Sequence, residues 1–61
     1  MKYSEFKRWL LRHGAELTKA PGGGSHYKVL RQGKRSVFPD HGAKEMPEPL
    51  RRAILKDLDV D

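Results

Sequence analysis

A run of three glycines at residues 22–24 limits what this sequence can fold into, because no helix or strand is expected to continue through it. Pro21 precedes the run, and such a segment forms a loop because glycine and proline interrupt both helices and strands. Residues 26–31 follow at once and alternate in polarity, as in a strand with one face toward a core. His26 stands where this loop meets the strand, and we therefore look for a functional site there first.

The segment before the glycine run predicts a first helix over residues 4–13. Ser4 is the expected N-cap and Gly14 the expected stop. We expect Trp9 and His13 to pack as structural residues, although an indole can also stack on a nucleic-acid base. The side chains that recur at three- and four-residue spacing, and so share one helical face, are Phe6, Trp9, Leu10 and His13.

Three further segments complete the predicted secondary structure. Residues 16–19 and 35–38 indicate two more short strands, and Gln32-Gly33 forms a hairpin turn between the second and third strands. Residues 48–57 indicate a second helix, since prolines flank its start and proline suits a first helical turn.

The order helix, three strands, helix predicts an α+β fold in which both helices cover one face of a three-stranded antiparallel sheet. The other face of the sheet stays open and carries His26 and Lys28. With 61 residues the chain is expected to form one domain, residues 1–61, with one thin core. The residues expected in that core are Phe6, Trp9, Leu10, Tyr27, Val29, Val37, Leu50 and Ile54.

The charge of the chain is concentrated in its first part. Residues 1–35 carry 9 lysines and arginines against 2 acidic residues, whereas residues 36–61 carry 4 against 6, for a net charge of +5. A basic surface attracts polyanions such as RNA, although a solvated protein face can have the same composition. The absence of cysteine excludes disulfides and thiolate zinc sites. We expect a cytoplasmic protein without a membrane span or a bound metal ion or cofactor.

His26 is the candidate catalytic residue. An imidazole has an ordinary pKa of about 6.5, so it can serve as a general base or a general acid near neutral pH. Lys28 shares its strand face and can neutralise a phosphate, and the backbone amides of Gly23, Gly24 and Ser25 can donate to phosphate oxygens. An ordinary surface histidine at the start of a strand is the alternative interpretation.

Two other groups of residues are weaker candidates. Arg31, Lys34 and Arg35 lie close in sequence around the hairpin turn and are predicted to contact RNA phosphates, or else only to solvate the turn. His41 follows the third strand and is a candidate second proton-transfer group, a substrate contact or a loop residue without a chemical role.

Three motifs resemble a known family. The Gly-Ser-His-Tyr-Lys segment at residues 24–28 resembles the Gly-Ser-His motif of HicA toxins. The Val-Phe-Pro-Asp-His segment at residues 37–41 is similar to that family's Val-x-Pro-x-His segment, and residues 49–56 are similar to its terminal helix. The glycine run is longer than is usual in the family, and Glu48-Pro49-Leu50 replaces the Pro-Gly-Thr-like helix entry of many members.

The resemblance implies a fold similar to the double-stranded-RNA-binding domain and a toxin that cleaves messenger RNA. It also implies a partner antitoxin, HicB, that blocks the active histidine, which is His26 here, and contact with DNA only through the antitoxin complex. Two other functions remain open: a non-catalytic RNA-binding module of the same fold, and a domain whose basic face binds an acidic protein.

Overall fold

The computed structural model of the chain describes residues 1–22 and 24–60. The elements are α1 (Tyr3–Arg12), β1 (Glu16–Lys19), β2 (His26–Arg31), β3 (Lys34–Pro39) and α2 (Glu48–Asp57). The three strands form an antiparallel sheet in the order β1-β2-β3. The predicted architecture is confirmed, as are the bounds of β1, β2 and α2. Helix α1 begins and ends one residue earlier than predicted, and β3 is one residue longer at each end.

The start of α1 differs from the prediction. Lys2, and not Ser4, is the N-cap, and its backbone N–H donates to the Glu5 carboxylate over 2.7 Å. This hydrogen bond lowers the pKa of Glu5 below its ordinary value. Ser4 already lies inside the helix, and its backbone N–H donates to the carbonyl oxygen of Gly42 over 3.0 Å. The loop before α2 therefore supplies a hydrogen-bond acceptor for a backbone N–H group in the first turn of α1, which has no partner within the helix.

Both helices pack on the same face of the sheet around one core. Helix α1 contributes Phe6 and Leu10, the sheet contributes Val29 and Phe38, and α2 contributes Ile54, each exposing 2% of its surface or less. Helix α2 is also tied to β3 by the hydroxyl of Ser36, which donates to the Asp57 carboxylate over 2.8 Å. The side chains of the three strands on the opposite face are largely exposed, and nothing in residues 1–22 and 24–60 forms a layer over them.

The prediction that Val37 belongs to the core is wrong. Val37 is 55% exposed, whereas Phe38 is fully buried. The pairing of Val37 with Lys28, and of Phe38 with Tyr27, explains the difference, because side chains of paired residues lie on the same face of a sheet. Adjacent strand residues point to opposite faces, so only one of two neighbouring apolar side chains can reach the core.

The hairpin between β2 and β3 is confirmed as a two-residue turn. Gln32 and Gly33 both have positive φ, 48° and 79°, as a turn matched to the twist of the two strands requires.

None of the helices in the described part of the chain has the length and apolar character needed to cross a bilayer.

The end of α1 is more exposed than predicted. Trp9 is partly buried against the core, as expected. His13, predicted to be packed, is exposed, and its ring stacks on Trp9 with ring centroids 3.8 Å apart. His13 is the C-cap and lies beyond the last helical residue. It is therefore not one of the α1 side chains that pack into the core.

Candidate nucleic-acid interface and its histidine

His26 lies on the open face of the sheet, at the end of β2 that adjoins the glycine loop. Its side chain is exposed, whereas Tyr27 and Val29, on the opposite face, pack against the core. Lys28 is two residues further along the same face and is also exposed. The predicted position of His26 and Lys28 on solvent-facing β structure is confirmed, and their chemical role remains a prediction.

Backbone hydrogen bonds fix the chain on both sides of His26. The carbonyl oxygen of His26 accepts from the N–H of Ala20 over 3.0 Å, and the carbonyl oxygen of Ser25 accepts from the N–H of Asp40 over 2.9 Å. Gly24 and Ser25, the predicted phosphate-binding residues, are exposed at this end of β2. Gly23, which was predicted to act with them, lies outside the described residues.

The open face combines cations with exposed apolar side chains. Lys28 is paired with Val37, and Leu30 is paired with Arg35, so all four lie side by side. Leu30 and Val37 are 42% and 55% exposed. The shallow concavity that they form with neighbouring residues is lined on this face by Glu16, Thr18, Lys28, Leu30, Arg35 and Val37. Sequence reasoning identified the cations but placed Val37 in the core, so it missed the exposed apolar area that Val37 forms with Leu30.

The three basic residues near the hairpin turn do not form one cluster. Arg35 lies on the open face, in the same face as His26 and Lys28. Arg31 and Lys34 are paired with each other on the opposite face, where the Arg31 Nε donates to the carbonyl oxygen of His13 over 2.9 Å. The structure therefore brings Arg35 to the predicted site and directs Arg31 and Lys34 away from it.

His41 is brought near the glycine loop by its neighbour in sequence. Asp40 is hydrogen-bonded to Ser25, which places residue 41 beside the loop end of the ladder. The His41 ring is exposed and contacts Tyr3 edge to face, with ring centroids 4.9 Å apart. This contact accounts for the position of the imidazole, and its part in catalysis remains a prediction.

Asp40 was not predicted to matter, yet it connects three segments near His26. Its Oδ1 accepts from the N–H of Gly42 over 2.9 Å, and its Oδ2 lies 3.7 Å from the Nζ of Lys7 on α1. The same Nζ lies 4.6 Å from the centre of the Tyr27 ring. An aspartate two residues before a glycine is a turn signal, and it could have identified this residue from the sequence.

The described residues include no group of three or more histidine, cysteine, aspartate or glutamate side chains arranged to hold a metal ion.

Comparison with known proteins places these features in a family. A sequence profile described as the HicA toxin of bacterial toxin-antitoxin matches residues 3–60. The chain is 60% identical over 58 residues to a probable mRNA interferase HicA of Pseudomonas fluorescens (strain Pf0-1), a match spanning 95% of this chain and 93% of that protein. It is 48% identical over 58 residues to a probable mRNA interferase toxin HicA of Escherichia coli (strain K12), spanning 95% of each.

The fold agrees with a solved structure of the same family. One chain from the crystal structure of the E. coli HicAB toxin-antitoxin complex matches with a TM-score of 0.83 at 46% sequence identity, covering 95% of this chain and 96% of that one. The profile and both relatives span nearly the whole sequence, including all three motifs. The chain therefore belongs to the HicA toxin family.

Proposed function

We propose that this protein is the toxin of a type II toxin–antitoxin pair, and that it cleaves messenger RNA without a metal ion, with His26 as general acid or base. The observation that carries the proposal is the exposed His26 on an open sheet face that also presents Lys28 and Arg35. The relatives named mRNA interferase and the similar chain in the HicAB complex support it.

The cleavage step needs only the RNA itself and two proton-transfer groups of the protein. The ribose 2′-oxygen attacks the adjacent phosphorus, the bond from phosphorus to the 5′-oxygen breaks, and a 2′,3′-cyclic phosphate and a 5′-hydroxyl result. One proton leaves the 2′-oxygen for a base, and one is given to the departing 5′-oxygen by an acid. His26 fills one of these roles, and His41 is the candidate for the other.

Positive charge and backbone donors stabilise the phosphate as its charge develops. Lys28, two residues from His26 on the same strand face, is the proposed neutralising group. The amides of Gly24 and Ser25 are proposed to donate to the non-bridging oxygens, which a glycine-containing loop allows to approach closely. Arg35, farther along the face, would hold the RNA backbone without reading its sequence.

A HicB-like antitoxin is the proposed regulator of this surface. Exposed Leu30 and Val37 lie between Lys28 and Arg35, so the face offers apolar area for burial and cations for acidic side chains. A partner that covers this face would block His26 and would stabilise the small domain by binding only its folded state.

The proposal is tested by incubating the purified protein with messenger RNA in EDTA and separating the products on a gel. The wild type is expected to cleave, and His26→Ala is expected to fold normally, shown by circular dichroism, without cleaving. Lys56→Gln, which changes an exposed cation on α2, is the control that should cleave like the wild type.

Other results would contradict the proposal in identifiable ways. Wild-type cleavage by His26→Ala would remove this residue from the mechanism. A retarded but intact RNA band would indicate a non-catalytic binding module, and neither binding nor cleavage would favour a protein-binding domain. Full cleavage by His41→Ala would exclude His41 as the second proton-transfer group.

A further inference from the structure

A second exposed surface lies at the C-terminal end of α1, on the side of the sheet opposite to His26. His13 stacks on Trp9 with an interplanar angle of 19°, and Trp9 in turn stacks on Phe6 with centroids 5.8 Å apart. The stack thus runs from the buried core to an exposed imidazole. An exposed aromatic ring that is held in place by a second ring is the kind of platform on which nucleic-acid bases stack.

Local hydrogen bonds hold the outer ring of this stack in place. The His13 Nδ1 donates to the carbonyl oxygen of Trp9 over 2.8 Å. The carbonyl oxygen of His13 accepts from the Arg31 Nε over 2.9 Å, which ties the end of α1 to the hairpin. The ring orientation is therefore set before any ligand binds, and this lowers the entropic cost of stacking.

Two further cations lie next to Arg31 and His13. Lys34 is paired with Arg31 on the same face, and Arg12 immediately precedes His13 in the last turn of α1. Among the described residues, none of these three cations takes part in an ion pair. The surface therefore combines an exposed ring with uncompensated positive charge, as single-stranded nucleic-acid sites do.

From these observations we infer that His13, stacked on Trp9, forms together with Arg31 and Lys34 a second RNA-binding site that takes an unpaired base and its neighbouring phosphates. This inference rests on the proposed function, and it adds that the substrate is single-stranded RNA held at two places. Arg31 and His26 occupy opposite ends of β2, about 17 Å apart for five steps of about 3.3 Å, so the bound strand must span several nucleotides.

Trp9 is the only tryptophan in the sequence, so its fluorescence reports directly on this platform. The experiment uses the His26→Ala protein, which is proposed to bind without cleaving, and titrates it with a ten-nucleotide oligoadenylate. We expect the oligonucleotide to quench Trp9, because a base stacked on His13 extends the aromatic stack. Inorganic polyphosphate, a polyanion without bases, is expected to bind with little quenching.

Variants separate stacking from charge. His13→Phe keeps a ring and is expected to bind within about two-fold, whereas His13→Glu removes the ring and repels phosphate, and should weaken the Kd by roughly ten-fold or more. Arg31→Gln removes one cation beside the ring and should weaken the Kd several-fold. Lys56→Gln on α2 is the matched control, since it makes the same change in charge as the other two charge-altering variants.

Several results would overturn the inference. Equal quenching by polyphosphate, or equal binding by His13→Glu and Lys56→Gln, would exclude base stacking at His13. Quenching by a polyglutamate peptide but not by the oligonucleotide would assign the platform to an acidic protein instead. The binding assay does not depend on cleavage. If only the proposed nuclease activity proved wrong, the oligonucleotide would still quench Trp9 fluorescence, and the binding would still depend on His13.

Discussion

The backbone N–H of Asp40 donates to the carbonyl oxygen of Ser25 over 2.9 Å, directly beside His26. This hydrogen bond continues the β2–β3 ladder past the His26–Pro39 pair and joins the glycine loop to the loop that carries His41. This hydrogen bond thus holds the segment that leads into His26 against the loop that carries His41.

The Asp40 side chain is expected to stabilise this junction. Asp40→Ala removes the acceptor for the Gly42 N–H and the partner of Lys7, and should lower the free energy of unfolding by about 1 kcal/mol. Asp40→Asn keeps an amide oxygen for Gly42 and should be less destabilising. Urea denaturation of both variants measures the difference, and equal destabilisation would show that the ion pair with Lys7, and not the turn, is what matters.

Phe38 and Val37 are neighbours in sequence, but replacing them by alanine is expected to change the free energy of unfolding by very different amounts. Phe38→Ala empties a fully buried site and should lower the free energy of unfolding by about 3–5 kcal/mol, enough to unfold much of so small a domain. Val37→Ala changes an exposed position and should stay within about 0.5 kcal/mol. Thermal unfolding compares the two, and a large destabilisation at Val37 would contradict the strand register.

Those two residues also show what a sequence can and cannot predict here. Helical spacing and turn residues are local signals, and they predicted the order of elements, β1, β2 and α2. Which face of β3 is buried depends on its register with β2, and two adjacent apolar residues leave that open. Ser4 was predicted as the cap because its hydroxyl suits the role, but hydrogen bonds to the distant residues Gly42 and Lys44 start the helix earlier.

The candidate site, like the fold, could be predicted from the sequence only in part. Strand alternation alone put His26 and Lys28 on one face, and the structure agrees. The proximity of Arg31, Lys34 and Arg35 in sequence suggested one cluster, but a two-residue turn leaves Arg31 and Lys34 on one face and Arg35 on the other. The turn that Asp40 forms with Gly42 has a local signal in the sequence, but the pairing of Asp40 with Ser25, 15 residues away, has none.

Stability at acidic pH is expected to depend on Glu5. The hydrogen bond from the Lys2 N–H lowers the pKa of Glu5 below its ordinary value in the folded state, so the carboxylate contributes stability at pH values above that ordinary value. The contribution disappears as the pH falls through the lowered value. In Glu5→Gln the amide oxygen can still accept from Lys2 but does not titrate.

The measurement is the free energy of unfolding between pH 5.5 and pH 3 for the wild type and Glu5→Gln. Stability should fall more steeply with decreasing pH in the wild type. Asp59→Asn, at an exposed position beyond α2, is a control that removes a carboxylate without touching the cap. Identical slopes for the wild type and Glu5→Gln would show that the cap does not affect proton binding.

The open face should determine how RNA binding depends on salt. For a single strand, each lysine or arginine that neutralises a phosphate contributes about 0.7 to the slope of log K against log salt concentration. In the His26→Ala background, replacing both Lys28 and Arg35 by alanine should therefore flatten the slope by about 1.4. Replacing Arg52 and Lys56 on the exposed side of α2 makes the same change in net charge and should leave the slope nearly unchanged. Filter binding at several salt concentrations compares the two double variants. Equal slopes would show that RNA responds to the total charge of the protein, in which case the sheet face would have no special role in holding the phosphates.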